Sequence, residues 1–200
     1  MKLQDLFLLE GRHDPYNYKV VFMAGSPGSG KTTVRQKIFG SDMKVVDPDN
    51  VASLLQRRET QEQQNDFAAH PQAPQAEKFR QSWLRQGLGM IIDGTGRNFE
   101  DYKLKRQQFL EYNYQPAMIL VHVPLDQAIA NVQKRQAQTG RQVDIDYLQH
   151  AWQQVEDNRD LYKRLFGPTY WEVENAGSMA AANINQVARQ ARRWLNQPAV

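Results

Sequence analysis

The sequence predicts an α/β fold: a three-layer α/β/α sandwich around a mostly parallel five-stranded sheet, with a short lid. Three observations carry this expectation. Short apolar runs alternate with longer helical patterns along the 200 residues, the order that gives a parallel sheet covered by helices on both faces. The stretch Gly25-Ser-Pro-Gly-Ser-Gly-Lys31-Thr32 fits G-x-x-x-x-G-K-[ST] without a mismatch, and it lies between a strand-like run and a helix-like one. Acidic residues close the second and third apolar runs, at the carboxyl ends where open α/β sheets bind ligands.

Val20–Ala24, all apolar, reads as a strand buried on both faces. Lys44–Asp47 is a short second strand, Gly89–Asp93 a third, and Ala117–Val123 a fourth closed by Pro124. Tyr170–Asn175 completes the five. Helical stretches lie between and after them: Thr32–Phe39, Asn50–Arg58, Ala76–Gln86, Phe99–Tyr112, Leu125–Gln138, Ile145–Phe166 and Met179–Leu195. The Gln-rich stretch Gln56–Gln75, with Pro71 and Pro74, is the least core-like part and reads as a helix end and a surface loop. No repeat or linker divides the chain, so residues 1–200 read as one domain.

The glycine-rich loop is a phosphate-binding loop, or P-loop. Its glycines let the backbone turn tightly, so that N–H groups converge on phosphate oxygens at a helix N-terminus. Gly25, Ser26, Gly28, Ser29, Gly30, Lys31, Thr32 and Thr33 are therefore the expected nucleotide-binding residues. Lys31 would reach the terminal phosphates, and the Thr32 hydroxyl would ligate Mg²⁺.

Three strand ends add chemistry. Val46-Asp47-Pro48-Asp49 follows strand two. Pro48 keeps Asp47 extended, and Asp49 starts a helix. Asp is a preferred N-cap residue, which alone accounts for Asp49. A carboxylate here also suits a general base that accepts the proton of an attacking hydroxyl. Strand two is expected beside strand one, which would turn Asp49 towards the P-loop. Asp93-Gly94-Thr95-Gly96-Arg97-Asn98 follows strand three. Asp93 could hold Mg²⁺ through water, and Thr95 could donate to substrate or phosphate. A tight turn into the next helix, capped by Asn98, explains the same residues. Arg135 and Arg141 flank Gly140, where the helix after strand four should end. This basic, interrupted segment suits either a lid that neutralises a transferring phosphoryl group or an exposed helix end with favourable charge.

Composition sets wider bounds. The formal charge is +3, from 25 basic and 22 acidic residues, an excess that permits a nucleic-acid partner without arguing for one. Arg189, Arg192 and Arg193 fall on the last helix and read as a solvated face. Four histidines (13, 70, 122 and 150) lack metal-ligand spacing. Cysteine is absent, no apolar run approaches membrane-spanning length, and Met1–Glu10 carries charges unlike a leader. A cytoplasmic location is expected.

Taken in order, Gly25–Thr33, Val46–Asp49, Ile92–Asn98, Arg135–Val143 and Trp171–Gly177 resemble the P-loop kinase group that includes zeta-toxin kinases and phage polynucleotide kinases. Trp171–Gly177, with Asn175, looks like the last core strand of that group, which often ends in an Asn-Ser-Gly-like turn near the nucleotide. The resemblance spans roughly residues 18–195. It implies a P-loop NTPase fold with a lid at about 134–146 and ATP- and Mg²⁺-dependent transfer of the γ-phosphate to a hydroxyl. The acceptor would be a sugar nucleotide, a nucleic-acid 5′ end or a nucleoside. It implies Asp49 as the base that activates the acceptor. Asp49, Asp93, Thr95 and Arg97 would line the substrate side, and Arg135 or Arg141 would supply a transition-state arginine. Polynucleotide kinases usually carry an arginine three residues after the base; Ala52 stands there, with Arg57 and Arg58 further on. Two rivals keep the same core: a nucleoside or nucleotide kinase, and a nucleotide-dependent switch or binding module. No Asn-Lys-x-Asp run is present to read guanine.

Overall fold

The computed structural model describes residues 16–47, 73–139 and 143–198. Five strands form one sheet: β1 (Lys19–Ala24), β2 (Lys44–Val46), β3 (Met90–Asp93), β4 (Gln115–His122) and β5 (Tyr170–Glu174). The helices among the described residues are α1 (Lys31–Phe39), α2 (Ala73–Gln86), α3 (Phe99–Glu111), α4 (Leu125–Thr139), α5 (Ile145–Phe166) and α6 (Ala180–Leu195). The five expected strands are present, and six of the expected helices. The helix expected over 50–58 lies outside the described residues.

The strand order is β2-β3-β1-β4-β5, and every neighbouring pair is parallel. This corrects one expectation: β2 is not beside β1, because β3 lies between them. Strand lengths and burial explain the order. β1 is buried along its whole length and takes a central place, whereas β2 has three residues, two of them half-buried, which suits an edge. The chain runs from β1 to one side and from β3 to the other, so the crevice between β1 and β3 is the topological switch point.

The period-2 alternation of strands divides the core. Val20, Phe22, Met90, Ile92, Met118 and Leu120 face one side and pack with Trp83, Leu84, Tyr102, Phe109, Tyr162 and Phe166 from α2, α3 and α5. Val21, Met23, Ile91, Ile119 and Val121 face the other and pack with Val34 and Ile38 of α1 and Ile184, Val187, Ala191 and Trp194 of α6. Three layers result. α4 joins through a smaller cluster of Val123, Ala128, Val132 and Leu148.

Some local readings change. β4 begins two residues earlier than the apolar run, because Pro116 is accommodated next to the strand's first residue. Residues 73–75, expected in the Gln-rich surface loop, belong to α2, with Pro74 in its first turn; the rest of that stretch lies outside the described residues. Arg192 is not simply a solvated charge. Its Nε donates to the Ile38 carbonyl at 3.1 Å and its Nη2 to the Lys37 carbonyl at 3.3 Å, meeting carbonyls at the end of α1 that the helix leaves unpaired. No helix among the described residues is long and apolar enough to cross a membrane.

Candidate nucleotide and phosphoryl-transfer site

The P-loop joins β1 to α1 at the switch point. β1 ends at Ala24 and α1 starts at Lys31. Gly30 precedes the helix in the left-handed region, φ 85°, and offers no side-chain cap; the first turn carries no acidic residue. The N–H groups that open α1 are thus not met by a capping side chain, and an anion is the natural partner for them. Ser29 Oγ is fully buried and has no hydrogen-bond partner among the described residues. This orphaned hydroxyl and the uncapped helix start both fit a phosphate-bearing ligand.

Lys31 Nζ donates to the Gly25 carbonyl at 2.6 Å and to the Ser26 carbonyl at 3.3 Å. Its side chain therefore folds back across the loop. Burial pushes the ammonium below its usual pKa; Asp93 and Asp47 oppose that, and the positive charge of Arg135 adds to it. The start of α1, the ends of β2 and β3, and α4 thus bring Asp47, Asp93 and Arg135 within electrostatic range of Lys31. Lys31, Asp93 and Arg135 were expected here, and Asp47 was not assigned a role by the sequence.

Asp93, at the end of β3, is 7% exposed. Arg35 Nη1 donates to its Oδ2 at 2.8 Å. Arg35 stands four residues after Lys31 on α1, so both cations lie on one face of that helix. The Lys31/Arg35 spacing was the available signal for this pair.

The loop after β3 is tied to the P-loop by its main chain. Gly25 N–H donates to the Thr95 carbonyl at 2.9 Å, and Gly94 N–H to the Met23 carbonyl at 3.3 Å. α5 braces the loop from behind: Tyr162 Oη donates to the Gly96 carbonyl at 2.8 Å, and Asn158 Nδ2 to the Arg97 carbonyl at 2.8 Å. Arg97 lies over the Tyr147 ring at 5.3 Å. Asn98 caps α3, its Oδ1 accepting from Asp101 N–H at 3.1 Å. Thr95 and Arg97 are therefore both on a fixed loop next to the P-loop.

Two asparagines reach the P-loop from outside. Asn131 Nδ2, on α4, donates to the Gly28 carbonyl at 2.9 Å. Asn175 Nδ2, just after β5, donates to the Ser29 carbonyl at 2.8 Å. The resemblance of Trp171–Gly177 puts Asn175 in a turn near the nucleotide, whereas the sequence assigned Asn131 no role. The four-residue spacing of Asn131 and Arg135 is the only hint that both share a face of α4. Thr32 and Thr33 are exposed in the first turn of α1, beside the loop. Asp49 and Arg141 lie outside the described residues.

Residues 20–161 match the AAA domain family. No curated protein matches the chain by sequence. Among solved structures, a chain of the Pnkp1/Rnl/Hen1 RNA repair complex is 18% identical with a TM-score of 0.59, covering 78% of this chain and 48% of that one. This chain thus spans about half the length of that neighbour. A structure of the PezAT chromosomal toxin–antitoxin system of Streptococcus pneumoniae is 17% identical with a TM-score of 0.57, covering 98% and 94%. Shikimate kinase from Bacteroides thetaiotaomicron is 14% identical with a TM-score of 0.53, covering 89% and 98%. At these identities the likeness is one of fold. A five-stranded parallel sheet, a P-loop at its switch point and a family match over 142 of the 200 residues agree: the chain belongs to the AAA domain family and has the P-loop kinase fold.

Proposed function

We propose that this protein is an ATP- and Mg²⁺-dependent phosphotransferase that moves the γ-phosphate of ATP to a hydroxyl acceptor, in the manner of zeta-toxin or polynucleotide 5′-kinases. The observation that carries the reading is the set of charges around Lys31. A desolvated lysine in a phosphate loop feels Asp93, Asp47 and Arg135 together, and phosphoryl transfer needs cations on the phosphates and carboxylates on the acceptor side.

In this reading Gly25, Ser26, Gly28, Ser29, Gly30, Lys31, Thr32 and Thr33 hold the nucleotide. Thr32 and Asp93 would hold Mg²⁺, with Arg35 fixing the Asp93 carboxylate. The metal would neutralise charge on the β- and γ-phosphates. Asp49 accepts the acceptor's hydroxyl proton as the oxygen attacks phosphorus and the bond to the β-phosphate oxygen breaks. Arg135 or Arg141, on a lid over about 134–146, offsets the negative charge that develops. Asp49, Asp93, Thr95 and Arg97 line the acceptor side. The acceptor is a sugar nucleotide, a nucleic-acid 5′ end or a nucleoside, and the enzyme works in the cytoplasm as a single domain over residues 1–200.

Two substitutions separate binding from chemistry. Lys31→Ala should weaken MgATP binding or transfer; wild-type behaviour in both removes the P-loop from the account. Asp49→Asn should keep MgATP affinity within about twofold of the wild type and lower transfer by roughly a hundredfold or more, the scale of general-base catalysis. Equal transfer rates would remove Asp49 from the mechanism.

A further inference from the structure

We infer that Asn131 and Asn175 are positioning residues of the nucleotide site, which together clamp the phosphate loop from its outer side; the inference rests on the nucleotide-binding reading above. The two side chains hold consecutive carbonyls. Asn131 Nδ2 donates to Gly28 at 2.9 Å and Asn175 Nδ2 to Ser29 at 2.8 Å. In a trans peptide the carbonyl and the next N–H point in opposite directions. A carbonyl fixed outward therefore fixes the following N–H inward. The Asn175 bond sets the Gly30 N–H this way, at the point where the loop enters α1.

Each asparagine is itself anchored. Gln127 Nε2 donates to Asn131 Oδ1 at 2.9 Å, which leaves the Asn131 amide nitrogen facing the loop. Asn175 N–H donates to the His122 carbonyl at 2.9 Å, continuing the β4–β5 pairing one residue beyond β5. Contact is close enough to dictate residue type. A Cβ on Gly30 would stand 2.4 Å from Asn175 Nδ2, and one on Gly28 would stand 2.3 Å from the Ala128 carbonyl oxygen of α4. The loop thus has α4 on one side and the end of β5 on the other. Arg135 lies one helical turn beyond Asn131, so α4 both holds the loop and carries a charge that acts on Lys31.

The clamp aligns the loop for phosphate before the nucleotide arrives, and preorganised donors lose less on binding. Its removal should therefore be felt by phosphate and not by the nucleoside. The test measures Mg²⁺–ADP and adenosine binding to the full chain by titration, for wild type, Asn131→Ala and Asn175→Ala, with circular dichroism to confirm the fold. Each substitution removes one neutral hydrogen bond to the loop, so ADP affinity should fall about fivefold, with adenosine affinity unchanged. Asn131→Asp and Asn175→Asp, which keep the shape and lose the donor, should also weaken ADP selectively. Wild-type ADP affinity in the alanine variants overturns the clamp, as does an equal loss for ADP and adenosine. If the wild-type chain fails to bind ADP, the nucleotide-site reading falls, and the clamp with it.

Discussion

Replacing Gly28 by alanine tests how tightly the phosphate loop is built into the fold. Gly28 has φ 81°, in the left-handed region, and an added Cβ would meet the Ala128 carbonyl oxygen at 2.3 Å and Val132 Cγ2 at 3.0 Å. Two costs combine. A non-glycine residue in this backbone conformation costs about 1–2 kcal/mol. Forcing a methyl group against a packed helix costs about 1–3 kcal/mol more. The sum is about 2–5 kcal/mol, and for a domain of this size about 3 kcal/mol lowers Tm by about 6–12 °C. Urea unfolding followed by tryptophan fluorescence gives the free energy against the wild type. Gly28→Ala should be less stable by at least about 2 kcal/mol, and it should lose Mg²⁺–ADP affinity, because the alternative to unfolding is a displaced loop. Gly40→Ala, where an added Cβ meets nothing within 4 Å, strains the backbone alone and should keep Mg²⁺–ADP affinity. Wild-type stability with undiminished nucleotide affinity in Gly28→Ala would refute the contact between loop and α4.

Lys31 gives a pH prediction. Burial holds its pKa below the ordinary lysine value of 10.5. Between its folded value and 10.5 the unfolded chain keeps a proton that the native chain has released, so the Lys31 contribution to stability rises with pH in that window. Nucleotide affinity should move the other way, falling as the ammonium is lost before pH 10.5; Lys31→Arg, which stays charged, should flatten that fall, and identical profiles would argue against it. Asp93→Asn leaves Arg35, whose side chain is 13% exposed, without its carboxylate. Breaking a buried ion pair at one partner costs about 3 kcal/mol, and the denaturant midpoint should drop accordingly; an unchanged midpoint would show that the pair contributes nothing to the fold.

How much of this was legible in the sequence differs by element. The P-loop, five strands and six helices follow from local pattern: apolar runs such as Val20–Ala24, the Gly25–Thr32 spacing, and a Gly or Pro at ends such as Gly40, Gly87, Pro124 and Gly167. Strand order does not. Placing β2 beside β1 failed because adjacency depends on which strands need burial on both faces, and β2, with three residues and a half-buried Lys44, belongs at an edge. The site divides the same way. Lys31 and Asp93 sit at predictable strand and helix ends. Asn175 was placed near the nucleotide by resemblance, but its bond to the Ser29 carbonyl, 146 residues away, was not. Arg35 and Asn131 escaped because their partners lie 58 and 103 residues away, and a polar residue on a helix face carries no local mark of what it touches. Arg192 was read as solvated for the same reason, its partner carbonyl being 154 residues earlier.

Phosphoryl transfer to an alcohol can be read from the fate of the label. ATP labelled at the γ-phosphate is incubated with Mg²⁺, the wild-type chain and, separately, 5′-hydroxyl oligonucleotides, UDP-sugars and nucleosides; Asp49→Asn runs in parallel. Label should appear on the hydroxyl of one acceptor class and be lost in Asp49→Asn while that variant still binds MgATP. Release of inorganic phosphate alone, with no labelled acceptor in any class, would contradict it.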